Sequence, residues 1–200
     1  VAIFRVQPIV ATLVLMAYTF NNKSRDLAVG DVVNGDFQKR MSTTERAVSG
    51  LIDSTGTMVR DMVLKGPSVY DAVFAYESTA IEFLKSAEGR WGKLHVVYPQ
   101  YNLWNESPYV VLNTPWSSKE QQAAATKFMN FLLSDAIQKE SVAHGFRPAN
   151  PNVSTKDADS PFIAYQSAGI SDDIGVICDA PKPEVITNLL ESWQRTQGGR

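Results

Sequence analysis

Residues 53–77 constrain this chain more than any other stretch. A hydroxyl- and glycine-rich turn, Asp53-Ser54-Thr55-Gly56-Thr57, opens a short amphipathic helix that Gly66-Pro67 stops. Ala72-Val73-Phe74-Ala75-Tyr76 then reads as a buried strand closing on the polar pair Tyr76-Glu77. That order predicts a helix N-terminus near the mouth of a sheet. The free N–H groups of a first helical turn, with the positive end of the helix dipole behind them, suit an anion, and Ser54, Thr55 and Thr57 add hydroxyls. Ser54 as an ordinary N-cap explains the same residues without a ligand.

Composition narrows the function classes. In 200 residues, 44% hydrophobic and 20% charged content is enough for a folded core without covalent staples. A net charge of −2, with Lys and Arg scattered, leaves no electrostatic footprint for nucleic acid. The single cysteine, Cys178, cannot form an internal disulfide and reads as a small buried hydrophobe.

Arg5 followed by the apolar residues 9–20 mimics a secretory leader, but no small-residue cleavage site follows and the run falls short of the ~20 residues that span a bilayer. A core helix explains it better, with Pro8 at its start and Ile9, Leu13, Met16, Ala17 and Phe20 on one face. Further helices are expected over residues 37–51, 56–65, 79–87 and 183–196. The last carries a stripe of Val185, Ile186, Leu189, Leu190 and Trp193. Strands are expected at 72–76, 94–98 and 109–113. Ser117 with Glu120 forms a capping box before a helix whose Phe128, Phe131 and Leu132 face inward. After Gly145 the run Arg147-Pro148-Ala149-Asn150-Pro151-Asn152 breaks regular structure, which marks a boundary near residue 150. Two parts result, 1–150 and 151–200, and the tail 197–200 reads as frayed.

Tyr98, Tyr101, Trp104 and Asn105 combine aromatic walls with an amide, a lining that suits a small solute as well as local packing. His95 and His144 lack a third ligand at a workable spacing, so no metal or cofactor is expected. Met41, Met58, Met62 and Met129 read as core filler. There is no Gly-x-Ser-x-Gly elbow, phosphate loop or dinucleotide fingerprint, so the sequence argues against an enzyme.

An ordered set of short motifs resembles a known family. Ser54-Thr55-Gly56-Thr57, Met62-Val63-Leu64-Lys65-Gly66-Pro67-Ser68, Tyr70-Asp71-Ala72-Val73, Tyr76-Glu77, Gly89-Arg90-Trp91-Gly92, Tyr98-Pro99, Trp104-Asn105, Ser107-Pro108-Tyr109 and Gly145-Phe146-Arg147-Pro148 are similar to bacterial extracellular solute-binding proteins of the type 2 periplasmic class. The nearest group is the molybdate-binding-like branch, some of whose members are fused to a von Willebrand type A domain. The resemblance runs from about Leu13 to Arg195.

It implies an α/β lobe with a mixed sheet flanked by helices, non-enzymatic and periplasmic or extracellular, membrane-associated in the full-length protein. Such a receptor belongs to an ABC-type uptake system. It closes by a hinge over a small-molecule solute, an oxyanion among the possibilities, and delivers it to a membrane permease. On that plan residues 1–150 match the second lobe and 151–200 the return segment, with the first lobe missing. The family's Ser/Asn/Gly-rich turn before the first helix is replaced here by residues 6–12. The carry-over makes Ser54–Thr57 the oxyanion-binding turn and Tyr76 a hydroxyl donor, with Ala75 as the match if the register slips by one. Glu77 departs from the pattern, because a bare carboxylate beside the pocket repels an anion and favours a cationic or polyhydroxylated solute. It also fits as a first-turn residue of the following helix. An alternative to solute transport is an adhesion or signalling module built from a receptor lobe that has lost its solute.

Overall fold

Periodicity builds this molecule from helices. The structure, a computed structural model, describes residues 7–48 and 54–197. In chain order it contains α1 (Gln7–Asn21), α2 (Val29–Val32), α3 (Gly35–Glu45), α4 (Thr55–Lys65), α5 (Glu77–Ala87), β1 (Tyr101–Asn102), α6 (Lys119–Leu132), α7 (Asp135–Ala143), α8 (Pro161–Ala164), β2 (Val176–Ile177) and α9 (Pro183–Gln197). The two strands pair in parallel, Tyr101 opposite Val176 and Asn102 opposite Ile177. A helix-rich chain with a small parallel sheet is compatible with an α/β binding-protein lobe.

The chain divides into two units. The first takes in the described residues up to Tyr76, then Val97–Trp104, then Asp173 onward; the second holds Glu77–Val96 and Asn105–Asp172. Position 150, where the sequence suggested a boundary, falls inside the second unit.

In the first unit α1 and α9 carry the core. Leu13, Val14, Ala17 and Tyr18 of α1 are buried with Phe37 and Met41 of α3 and Val185 and Leu189 of α9. The buried face of α1 is rotated from the expected one, since Val14 and Tyr18 are sealed while Phe20 is 40% exposed. Phe20 instead sets its ring edge-on to Phe37, 5.5 Å between centroids. The Tyr18 hydroxyl donates to the Asp179 carbonyl at 2.8 Å, which gives a buried phenol the partner it needs. Cys178 is buried in this core as expected, and burial pushes its thiol pKa up. On α9 four of the five stripe residues read from the sequence, Val185, Leu189, Leu190 and Trp193, belong to this packing, whereas Ile186 does not. Helix α3 ends at Glu45, short of the expected residue 51; residues 49–53, including Asp53, lie outside the described part, as do 1–6 and 198–200. The small sheet is held by Asn102, whose amide donates to the carbonyls of Pro99, at 2.7 Å, and Ile174.

The second unit has a thinner core of Ile81, Leu84, Val142, Val153, Phe162 and Ile170. Gly169, at φ +94°, lies so near Val96 that a Cβ there would overlap the Val96 carbonyl. That glycine lets the Val96 N–H reach the Ala168 carbonyl at 2.8 Å. The expected 94–98 segment makes this backbone bond but forms no strand. Residues 72–76 and 109–113 form no ladder either: β-branched and aromatic content favours a strand only where a neighbouring strand is in register. In the 109–113 segment side chains take over, with Ser117 Oγ donating to the Leu112 carbonyl at 3.0 Å. The capping box of α6 is formed by Ser118 and Gln121, one residue later than expected. Phe128 and Phe131 do not face inward; both are about half exposed and stack on each other, 6.1 Å between centroids.

Candidate functional site

The turn at residues 54–57 is an open helix start. Ser54 is extended, at φ −144° and ψ 124°, and its hydroxyl accepts the Thr57 N–H at 3.4 Å. Its carbonyl accepts the Met58 N–H at 3.1 Å. The amides of Thr55 and Gly56 have no partner within the helix, as its geometry requires. Val59 and Val63 anchor α4 by burial, and Gly66, at φ 73°, ends it. Ser54 is exposed and residues 55–57 are partly so, so the turn is reachable from solvent. Among the described residues, a Cβ placed on Gly56 meets only Ser54 Oγ, at 3.7 Å.

Tyr76 and Glu77 stand where the chain passes from the first unit to the second. Tyr76 is partly buried, and burial raises its phenol pKa above the ordinary value, so it remains a neutral hydroxyl at physiological pH. Glu77 opens α5, the first-turn position foreseen for it. Its carboxylate is taken in a fork by Arg147, Nε to Oε2 and Nη2 to Oε1 at 2.8 Å each. Glu77 is therefore not the bare carboxylate that the sequence raised as a repulsive group. Arg147 also donates to the Ser171 carbonyl at 2.8 Å and to the Asp172 carbonyl at 3.3 Å, and its guanidinium lies 5.1 Å from the centre of the Phe162 ring. Asp172 is 3.4 Å from Arg147, accepts from the Thr155 hydroxyl at 2.8 Å and pairs with Lys156 at 3.1 Å. The Thr155 hydrogen bond is the main reason its carboxyl pKa is lowered; burial opposes, and Lys156 and Arg147 add to the lowering.

Arg147 is the partner of Glu77 that the sequence reading did not name. The signal was present in Gly145-Phe146-Arg147-Pro148, but 70 residues separate Arg147 from Glu77. At Gly145, φ +80°, a Cβ would meet Ile81 at 2.9 Å, so glycine lets the turn before Arg147 come close to α5.

The remaining candidates scatter. Tyr98 is partly buried in the first unit and Asn105 is exposed in the second. Tyr101 is a core residue whose hydroxyl donates to Asn22 Oδ1 at 2.9 Å, so packing accounts for it. Met41 is buried, whereas Met58, Met62 and Met129 are only partly so. His95 is exposed, not enclosed in an apolar strand, and His144 lies 3.4 Å from Glu140 on the surface. An open depression of about 330 Å³ in the second unit is lined by Glu82, Lys85, His144, Asp159 and Tyr165 among others. A smaller one of about 180 Å³ in the first unit is lined by Asp26, Lys182, Glu184 and Val185 with their neighbours. None of the expected site residues lines either. Among the described residues no group of acidic, His or Cys side chains could hold a metal ion, and no helix is long and apolar enough to cross a membrane.

Comparison with known proteins assigns the chain. The model of one family, bacterial extracellular solute-binding protein, matches residues 31–167, which includes the 54–57 turn, the Tyr76-Glu77 pair and Arg147. No curated protein and no solved structure matches the chain significantly. With more than half of its length matched, the chain belongs to the bacterial extracellular solute-binding protein family, whose members are generally not enzymes.

Proposed function

We propose that the chain captures a small solute outside the cytoplasm, in the periplasm or at the cell surface, for an ABC-type uptake system, with the 54–57 turn and Tyr76 as the principal contacts. The observation that carries this is the accessible helix start, lying inside the family match, with the amides of Thr55 and Gly56 unspent within the helix. Tyr76 supplies a protonated hydroxyl, while Tyr98 and Asn105 are secondary candidates. An oxyanion is the solute class that such donors favour. The molybdate-binding-like, type 2 assignment, hinge closure against a further lobe and delivery to a membrane permease belong to the same reading and rest on the sequence resemblance.

The test is a calorimetric titration of the full chain with sulfate, phosphate and molybdate, alongside Gly56→Leu. A Cβ at position 56 makes only an ordinary contact with Ser54 Oγ, so the substitution is expected to leave the helix in place while it obstructs the approach to its amides. Binding of at least one oxyanion, weakened tenfold or more in Gly56→Leu with the melting temperature kept within a few degrees, is expected. Unchanged affinity in the variant would overturn the assignment of the turn.

A further inference from the structure

Residues 109–113 have the composition of a strand but no partner strand among the described residues. Within the second unit they run along α6 and are fastened to it at both ends. The Tyr109 hydroxyl donates to the Ala125 carbonyl at 3.2 Å, with its ring 6.0 Å from that of Phe128, and Gln122 Nε2 donates to Asn113 Oδ1 at 3.3 Å. Yet Val110 is 70% and Leu112 50% exposed, and α6 buries none of its residues. Among the described residues the N–H groups of 109–113 make no hydrogen bond, and of their carbonyls only that of Leu112 accepts, from Ser117 Oγ. In an extended run, alternate residues turn their main-chain groups to opposite edges. Ser117 thus occupies the edge of Leu112, while the edge of Tyr109, Val111 and Asn113 stays open. An open edge is a template for another strand.

We propose that a second copy of this chain supplies that strand, so that residues 109–113 form the centre of a symmetric dimer. Antiparallel pairing about Val111 sets Val111 against itself and Tyr109 against Asn113 twice, which turns all three open residues into hydrogen-bonded pairs, with Val110 beside Leu112 between them. No charged side chain lies between Pro108 and Pro115 to oppose a like charge, and the two prolines confine the ladder to these residues. The twofold axis places both α6 helices on one face of the ribbon, the backing that a two-stranded sheet needs for stability. Tyr109, Val110, Leu112, Phe128 and Phe131 leave about 400 Å² of apolar surface in water on each copy. With the polar share usual in interfaces, two copies reach the ~1,000 Å² at which a specific interface begins, so the dimer is a weak one that assembles as concentration rises. Dimer formation needs no solute.

Sedimentation velocity of the full chain between about 1 μM and about 200 μM tests this, with Val111→Pro as the variant. Wild type should pass from monomer to dimer across that range. Val111→Pro removes a main-chain N–H that has no partner among the described residues of the single chain. Its circular dichroism and melting temperature should therefore stay close to those of wild type while dimerisation weakens tenfold or more. Register is read by mild oxidation of two cysteine variants at the high concentration. Val111→Cys brings its sulfurs to a pair about 5.5 Å apart at Cα, within disulfide reach, whereas Val110→Cys faces Leu112 and lies too far from its own copy. The first should cross-link and the second should not; Cys178 is buried and stays out of the reaction. If Val111→Pro fails to fold, the cysteine pair decides alone. A wild type that stays monomeric at the high concentration or grows into open-ended oligomers overturns the proposal. So does a folded Val111→Pro that dimerises as well as wild type, or equal cross-linking at positions 110 and 111.

Discussion

The two units of this chain are held together by different means. Among the described residues of the first, Tyr18, Phe37, Leu13, Met41, Leu189, Val14, Val32 and Val185 are all less than 2% exposed; among those of the second only Phe162 is a large side chain sealed to that degree. What the second unit lacks in apolar burial it makes up with directed polar links. Arg147 joins Glu77 to residues 171–172, and the Gln138 side chain donates to the Leu132 carbonyl at 2.8 Å while accepting the N–H groups of Ala149 and Asn150. A core of rings and aliphatic chains is non-directional and tolerates small shifts, whereas a fork of hydrogen bonds fixes orientation. The unit whose chain ends adjoin Tyr76 and Asp173 thus joins a thinner apolar core to these directed bonds.

Truncation at the centre of the first unit should have the largest effect. Phe37→Ala removes a ring that is completely buried between α1 and α9 partners, and substitutions of this kind cost about 3–5 kcal/mol. Urea denaturation followed by circular dichroism should show the shift, with residues of the first unit losing protection in amide exchange. A cost below about 1 kcal/mol would mean that the first unit does not depend on its apolar core, and the contrast between the units would fail.

How far the sequence foretold these units depended on whether an element carries its own signal. The helices α1, α4 and α9 could be read because a 3.6-residue period and a cap or a proline lie within each segment. Ser117 and Ser118 both satisfy the capping pattern, with Glu120 and Gln121 respectively, so only the hydrogen bonds decide for Ser118. The expected strands failed for the opposite reason, since a strand needs a partner and nothing in 72–76 or 109–113 says whether one is present. At the site, the Ser54 cap and the first-turn place of Glu77 were legible, while the Arg147 fork was not. Pattern reading sees neighbours three or four apart, and the fork bridges distant segments that only folding brings together.

Acid offers a milder comparison, with one carboxylate in each unit. Asp31 accepts from Lys23 at 2.6 Å and from the Ala28 N–H at 2.8 Å; burial pushes its pKa upward, but these bonds and the Lys23 charge together hold it below the ordinary value. Asp172 is lowered chiefly by the Thr155 hydroxyl. A depressed carboxyl contributes stability that is present above the ordinary value of 3.8 and is lost as pH falls through its folded value. Stability should therefore decline below about pH 4 in both units. Asp31→Asn should flatten the decline in the first unit, at a neutral-pH cost of about 1 kcal/mol or less. Asp172→Asn should flatten it in the second, by a smaller amount because its side chain is 36% exposed. Amide exchange at pH 3 and pH 6 resolves the units separately, and an unaltered acid response in either variant would show that its carboxylate is not coupled to folding.

The smallest effect comes from repeating the phenylalanine truncation on α6. Phe128 is about half exposed, stacks on Phe131 and tilts toward Tyr109, whose centroid lies 6.0 Å away. Aromatic pairs contribute about 0.5–1.5 kcal/mol beyond area burial, and less when one face is in water. Alanine is also the better helix former, by about 0.5 kcal/mol, which offsets much of that loss inside α6. Phe128→Ala should therefore change stability by no more than about 0.5 kcal/mol in the same urea experiment. Because the chemical change is identical to Phe37→Ala, the difference of about 2.5 kcal/mol or more isolates burial from residue type. A cost for Phe128→Ala that approached the Phe37 value would mean that the rings of α6 are covered in solution, and the second unit would then bury more apolar surface than its core around Phe162 supplies.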